Sequence, residues 1–288
     1  MNPTTPYRIG LIAGSGEIPL YFARKAFKNG IPLVSIGFTD EIQSRLVPFA
    51  EKTYSIGVGK PSKIFRILKE EKIRDVLILG KVDKNVIFRP QLFDLRSLRF
   101  LKNIKSKEDR TLMEGVIREV EKEGFRVLDQ RQFLREIYPD AGVLTRRKPS
   151  PEEMEDIEFG FPIAKKLADM EIGQTIIVKN KTVVAVEAIE GTDRAIDRGC
   201  ALVQGKCVAI KVSRTHQDYR YDSPGVGLKT LEGLTRGGAR VLALEAGRVM
   251  LVEQSQVLEM ADRAGVSIVC VASDTASPTP RPPGERKK

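Results

Sequence analysis

The sequence predicts an α/β protein built in two parts, an open parallel sheet followed by a mixed α/β domain. Three observations carry that prediction. The first half alternates short apolar runs with amphipathic segments of helical spacing, the second half breaks that alternation with two adjacent runs joined by a tight turn, and 288 residues are enough for two cores of ordinary size.

Residues 8–13, RIGLIA, form a strand of β-branched and aliphatic residues that ends in Gly14, Ser15 and Gly16. The segment EIPLYFARKAFKNG (17–30) continues as a helix closed by Gly30, and IPLVSIGF (31–38) returns as a second strand. A helix in SKIFRILKEEK (62–72) leads to the strand DVLILG (75–80), and a helix near 107–123 leads to FRVLD (125–129). Strand, helix and strand in this order give a Rossmann-like open parallel sheet over residues 1–138. Between them QLFDLRSLRFLKNIKSK (91–107) interleaves Leu92, Leu95, Leu98, Leu101 and Ile104 with Arg96, Arg99, Lys102, Lys105 and Lys107. This is a basic amphipathic helix, which serves either as a solvated face backed by the core or as a contact for anionic lipid head groups.

The periodicity stops in YPDAGVLTRRKPSP (138–151), which marks a boundary. The second domain, residues 150–272, opens on a helix near 151–169 and continues as TIIVKNKTVVAVEA, a hairpin turning at Asn180 and Lys181. A helix near 192–204, the strand CVAIKV (207–212), a long loop over 213–224 and a helix in GVGLKTLEGLTRGG (225–238) follow. ARVLALEAGRVMLVE (239–253) reads as two strands, and a last helix precedes the strand VSIVCVA (266–272). The residues from 273 to 288 are rich in proline and charge and are expected to be a disordered tail.

Composition narrows the chemistry. Three cysteines without C-x-x-C spacing and a single histidine, His216, leave little for zinc or thiol catalysis. Cys207 and Cys270 sit in apolar runs and read as core residues. A formal charge of +10 calls for an anionic partner: nucleic acid, an acidic membrane surface or a phosphorylated substrate. No apolar run approaches the roughly 20 residues of a membrane span, and MNPTTPYRIG has no signal-peptide pattern, so a cytoplasmic protein is expected.

Oxygen-bearing side chains dominate the motifs. In VVAVEAIEGTD (183–193), Glu187 alternates with apolar residues on a strand, and Glu190 and Asp193 flank Gly191 and Thr192 where the strand ends. Thr192 or Asp193 is either a helix cap or part of a site in which Gly191 and Thr192 hold a phosphate and carboxylates hold its metal, with Lys211 and Arg214 as counter-charges. In DSPGVG (222–227), Asp222 either caps the next helix or approaches a ligand through the backbone freedom that proline and glycine set. Gly14, Ser15 and Gly16 open a helix after a strand, so they form either a structural turn or a phosphate contact. They are a poor dinucleotide fingerprint, because Pro19 stands where a third glycine is needed.

Taken together, GLIAGSGEIP (10–19), Lys63-Ile-Phe, EKEGF (121–125), EIGQ (171–174), VAVEAIEGTD (184–193), Lys211, DSPGVG (222–227) and EAGR (245–248) resemble the LpxI family of UDP-2,3-diacylglucosamine pyrophosphatases over residues 7–272. The resemblance implies Mg²⁺-dependent hydrolysis of the pyrophosphate of UDP-2,3-diacylglucosamine to 2,3-diacylglucosamine 1-phosphate and UMP, in lipid A biosynthesis. It also implies peripheral work at the cytoplasmic face of the inner membrane. The family's critical aspartate falls on Asp222. The expectation is therefore that Asp222, Asp193 and Glu190 are catalytic and that Asp222 and Asp193 hold the metal. Gly14, Ser15, Gly16, Gly191, Thr192 and Lys211 are expected to bind substrate. No nucleic-acid partner is expected, and association into a homodimer stays open. The alternative is a non-catalytic basic protein that binds nucleotides or nucleic acid through the Gly14 turn and the 96–107 stripe, against which stand the absence of Trp and of a base-reading motif.

Overall fold

The computed structural model describes residues 7–82, 90–103 and 109–273. The chain divides into two compact units, Met1–Phe133 and Leu134–Lys288.

The first unit runs β1 (Ile9–Ala13), α1 (Ile18–Lys28), β2 (Leu33–Gly37), α2 (Asp40–Leu46), β3 (Lys52–Ser55), α3 (Pro61–Glu70), β4 (Asp75–Leu79), α4 (Leu95–Asn103), α5 (Asp109–Lys122) and β5 (Arg126–Val127). The strands pair in the order β3-β2-β1-β4-β5, and every pairing is parallel. The order reverses between β1 and β4, the switch point of a Rossmann-like sheet, as the sequence predicts. β1 and β2 are buried along their whole length, as strands covered on both faces must be. α1 buries Pro19, Leu20, Phe22, Ala23 and Ala26, and Pro19 sits in its first turn, where the missing amide hydrogen costs nothing. β3 has no counterpart in the sequence reading. It is an edge strand, KTYS, with no fully buried residue, so it carries no apolar run by which to recognise it.

The basic segment forms a 3₁₀ turn at Pro90–Leu92 and then α4; Ile104, Lys105 and Lys107 lie outside the described residues. Asp94 explains where α4 begins. Its carboxylate accepts from the Ser97 amide (2.8 Å) and from the Ser62 amide in the first turn of α3 (3.0 Å), so one side chain caps two helices. Arg96 turns inward, stacking over Phe65 at 4.7 Å and pairing with Glu119 (3.0 Å) and Glu123 (2.5 Å). Leu95, 74% exposed, and Leu98 share the outer face with Arg99 and Lys102.

The second unit begins with α6 (Arg131–Leu134), which spans the division, and continues with β6 (Gly142–Val143), α7 (Pro151–Asp169), β7 (Thr175–Lys179), β8 (Thr182–Val186), α8 (Thr192–Val203), β9 (Val208–Lys211), β10 (Gly225–Val226), α9 (Leu228–Arg236), β11 (Val241–Glu245), β12 (Met250–Leu251), α10 (Gln254–Ala264) and β13 (Ser267–Val271). The main sheet has the order β6-β13-β11-β9-β7-β8. β13, β11 and β9 are parallel, while β6, β7 and β8 run against their neighbours. β10 and β12 form a separate two-stranded parallel pair. Residues 138–151 contain β6 and run into α7, whose N-cap Ser150 forms a capping box with Glu153 through its hydroxyl and backbone.

The hairpin falls where Asn180 and Lys181 predict it. Both residues have positive φ (50° and 54°), and the buried Asp156 carboxylate accepts from both of their amides at 3.0 and 2.6 Å. α7 lies close on the sheet because Gly160 has no side chain: a Cβ there would come within 2.5 Å of Ile210 and 2.7 Å of Val178. The side chains of β7 divide between two cores, Ile176 and Val178 in one and Ile177 in the other. Cys200, Cys207 and Cys270 are all buried, and burial pushes the Cys270 thiol up to about 12. Residues 274–288 lie outside the described residues.

Candidate functional site

Polar side chains of the second unit gather where β9 and β11 end. Lys211 is the last residue of β9, opposite Thr175 on β7 and Leu244 on β11, and only 5% of it is exposed. A lysine buried there needs acceptors. Its Nζ donates to Thr192 Oγ1 (2.7 Å) and Thr175 Oγ1 (3.1 Å) and lies 3.6 Å from Glu187 Oε2. Thr192, the first residue of α8, donates in turn to Glu187 Oε1 (2.8 Å). Lysine, threonine and glutamate thus form one chain, with the open end of a helix beside them. Burial pulls the Lys211 pKa down, and the charges of Glu187, Asp193 and Asp222 pull it back. Glu187 Oε2 is buried and takes no hydrogen bond among the described residues. Beside the Lys211 ammonium at 3.6 Å, that oxygen still lacks a donor at hydrogen-bond distance.

Asp222 stands at the end of the loop over residues 213–224. Its Oδ2 accepts from the Arg214 guanidinium and from Gln217 Nε2 (2.6 Å), and Gln217 also reaches the Asp222 carbonyl (3.0 Å). Oδ1 takes no hydrogen bond among the described residues, and the side chain is 41% exposed. This carboxylate is oriented on one side and open on the other. The capping role weighed for Asp222 does not appear, since Gly227 stands at the N-cap of α9 with no side-chain hydrogen bond.

The remaining residues singled out in the sequence have other partners. Asp193, in the first turn of α8, accepts from the Thr230 hydroxyl (3.2 Å) and pairs with Lys229 (2.9 Å). Glu190 accepts from Arg198 (2.6 Å), which holds its carboxyl below the usual range, and from the Ala188 amide (3.2 Å). His216 is exposed. Direct contact therefore joins Lys211, Thr192, Thr175 and Glu187, while Asp193 and Asp222 act on Lys211 through their charge. Among the described residues, no three His, Cys, Asp or Glu side chains come together as a ready metal cage.

In the first unit, Gly14 permits a close crossing. The Gly14 and Ser15 amides donate to the carbonyls of Leu79 and Lys81 (both 2.8 Å), and a Cβ on Gly14 would lie 2.3 Å from the Lys81 carbonyl oxygen. Two amides of the turn are thus spent within the protein. Gly16, with φ of 104°, keeps its amide free of hydrogen bonds among the described residues.

A second cluster, in the second unit, was not singled out from the sequence. Glu245, the last residue of β11, is completely buried and accepts from the Ser213 amide (2.8 Å), the Ser213 hydroxyl (3.0 Å), Lys165 Nζ (3.1 and 3.2 Å) and the Ser273 hydroxyl (2.7 Å). Arg248 Nε lies 3.2 Å from it. The only local signal is a carboxylate closing an apolar strand, in the EAGR stretch.

A parallel sheet at its switch point, a second sheet with charged groups at its strand ends, and a carboxylate held half-open define a two-part α/β enzyme. The chain belongs to the LpxI family: the LpxI N-terminal domain matches residues 8–137 and the LpxI C-terminal domain residues 140–269. It is 31% identical over 278 residues to the UDP-2,3-diacylglucosamine pyrophosphatase LpxI of Caulobacter vibrioides, covering 92% of this chain and 97% of that protein. Among solved structures, the biotin carboxylase subunit of pyruvate carboxylase aligns over 64% of this chain and 36% of its own, with a TM-score of 0.24 and 16% identity. The biotin carboxylase domain of Hydrogenobacter thermophilus 2-oxoglutarate carboxylase aligns over 69% and 42%, with a TM-score of 0.27 and 16% identity. Those two likenesses are too slight to bear on fold or activity.

Proposed function

We propose that the protein hydrolyses the pyrophosphate of UDP-2,3-diacylglucosamine to 2,3-diacylglucosamine 1-phosphate and UMP, with Mg²⁺, in lipid A biosynthesis. The observation that carries this reading is the direct contact of Lys211, Thr192 and Glu187 at the open end of α8, together with Asp222, whose charge acts on Lys211 and whose Oδ1 takes no hydrogen bond among the described residues. That arrangement occurs in a chain that matches a UDP-2,3-diacylglucosamine pyrophosphatase along nearly its whole length.

The residues fit Mg²⁺ in the way that ion usually binds, through one or two carboxylates with substrate phosphates and water completing the shell. Asp222 would hold it through its open oxygen, with Asp193 once the largely exposed Lys229 releases it. When bound, the ion neutralises charge on the pyrophosphate and makes a coordinated water more acidic. The protein's own groups do the rest. Lys211 and Thr192 hold non-bridging phosphate oxygens, Arg214 keeps the Asp222 carboxylate in place, and the one open oxygen of that carboxylate, where it does not hold the ion, orients the attacking water and accepts its proton. Within the first unit taken by itself, the Gly16 amide, which makes no hydrogen bond among the described residues, is the group of the glycine turn suited to a phosphate.

The lipid substrate implies work at the cytoplasmic face of the inner membrane. The outer face of α4 supports that reading, since Leu95 and Leu98 stand exposed beside Arg99 and Lys102, a pairing suited to anionic lipid. No described helix is long and apolar enough to cross a membrane. Binding to vesicles containing anionic lipid should fall in a Leu95→Glu, Leu98→Glu variant while turnover in detergent persists.

The test of the reaction is UMP release from UDP-2,3-diacylglucosamine, stopped by EDTA and restored by Mg²⁺. Salt-sensitive binding of oligonucleotides without turnover would overturn it in favour of a nucleic-acid binding role.

A further inference from the structure

The loop that carries Asp222 starts at Ser213, and its first three residues are held with unusual completeness. Lys165 Nζ, from α7, donates to the Ser213 carbonyl (2.6 Å), and Glu245 accepts from the Ser213 amide (2.8 Å). Arg248 donates to the Ser213 hydroxyl (2.6 Å), the Arg214 carbonyl (2.6 Å) and the Thr215 carbonyl (3.0 Å). Asp169 takes the Thr215 amide (2.6 Å) and hydroxyl (2.8 Å). Between these fixed backbone points the Arg214 side chain leaves toward Asp222 and Gln217.

Glu245 is 0% exposed, and the side chains of Arg248 and Lys165 are 3% and 12% exposed. Burying three charges is a poor way to gain stability, because well-packed apolar residues of similar volume generally do as well or better. What such a cluster supplies is a set of directed hydrogen bonds in one arrangement. Its hydrogen bonds to residues 213–215 bracket Arg214, the residue that orients Asp222, and Arg248 also meets Tyr219 further along the loop, its carbonyl accepting from the Tyr219 hydroxyl (3.1 Å) and its guanidinium lying 5.8 Å over the ring.

We propose that Glu245, with Lys165 and Arg248, is a positioning unit for the reaction, holding residues 213–215 so that Arg214 presents the Asp222 carboxylate at the required angle. The inference rests on the hydrolytic reading above. None of the three residues touches the reacting atoms; they act through Arg214. Because the group they position works in the transition state, their loss falls on kcat and leaves KM nearly unchanged.

The test measures kcat, KM and melting temperature of Lys165→Met and Glu245→Gln, each alone and on an Asp222→Asn background, with Lys165→Arg as the conservative control. Lys165→Met is expected to lose about 10- to 100-fold in kcat with KM within about threefold, and Lys165→Arg to recover most of that loss. On the Asp222→Asn background the further loss should be under about threefold, since the cluster then has nothing left to position. Should Glu245→Gln fail to fold, the partly exposed Lys165 position still decides the question. A lowered melting temperature with kcat within about threefold of wild type, or losses that multiply with that of Asp222→Asn, would overturn the inference and leave a structural ion cluster. Wild-type protein that releases no UMP would instead overturn the hydrolytic reading, and this inference with it.

Discussion

Asp222→Asn separates the chemistry of the site from its architecture. Asparagine keeps the shape and removes the charge. Its carbonyl can accept from Arg214 and Gln217 as Oδ2 does, and its amide group falls where Oδ1 meets no donor among the described residues. The side chain is 41% exposed, so losing the ion pair with Arg214 should cost about 1 kcal/mol or less, as exposed pairs do. For a chain of this size that is a fall in melting temperature of at most about 2–4 °C. The cost in turnover is of another order. A carboxylate that orients a water and takes its proton contributes about 10²- to 10⁴-fold, or roughly 2.7–5.4 kcal/mol at about 1.36 kcal/mol per decade. The assay is the initial rate of UMP release in detergent-solubilised UDP-2,3-diacylglucosamine with Mg²⁺, at a temperature where both proteins are folded, beside a thermal melt of each. An Asn variant that keeps more than about a tenth of wild-type kcat would refute the placement of Asp222 at the reacting centre. A loss of turnover matched by collapse of the melt would refute the claim that its role is chemical.

Three further outcomes follow from the same contacts. Glu187→Gln should lower kcat by more than about tenfold, because it weakens the acceptor for Thr192 and the counter-charge of Lys211, whereas Glu190→Gln, whose partners are Arg198 and the Ala188 amide, should stay within about threefold; equal losses in the two variants would contradict the geometry. Asp94→Ala should destabilise the protein by about 1–3 kcal/mol in a denaturant titration at pH 7, since it removes caps from two helices, and a loss below about 0.5 would contradict that role. Burial alone would raise the Asp94 carboxyl, but the Ser97 and Ser62 hydrogen bonds outweigh it and hold the group below the usual range; its contribution is therefore complete above the unfolded value of about 3.9 and fades as pH falls through the lower folded value, so the Asp94→Ala difference should shrink in that acid window. Gly160→Ala should cost about 1–3 kcal/mol by the same titration, because its methyl meets Ile210 and Val178 within 2.7 Å, and a neutral result would mean that α7 can lift from the sheet freely.

Local pattern made much of the fold legible, and the exceptions have a common cause. Buried strands such as β1 and β4 announce themselves by apolar runs, and the Asn180–Lys181 turn by its position between two of them. β3 escaped because an edge strand need not be apolar. At the site, Lys211, Thr192 and Asp222 were visible as charged or capping residues at strand and loop ends. Of Glu187 and Glu190, three residues apart, the sequence put Glu190 forward as catalytic, while Glu187 is the one that lies beside Lys211 and Glu190 pairs with Arg198; which of them faces a lysine on another strand is not a local property. The Glu245 cluster was beyond reach for a stronger form of the same reason, since its contacts join residues 80 and 32 positions apart.

The placement of these groups follows from strand direction. β9 and β11 are parallel neighbours, so both deliver their last residues, Lys211 and Glu245, to one edge of the sheet. β7 runs against β9 and brings its first residue, Thr175, to that edge, and the turn after β8 returns Glu187 and Thr192 there as well. A strand interior cannot hold such residues without burying them unpaired, whereas at the edge each meets a partner from the next strand. The loop that leaves β9 at Ser213 starts from the same edge, which is why Glu245 can grip it and why Asp222 acts on Lys211 through its charge. On this account an exchange confined to the edge, such as Glu245→Gln, alters how Asp222 is presented, while an exchange one residue inward on β11, at the fully buried Leu244, alters only packing.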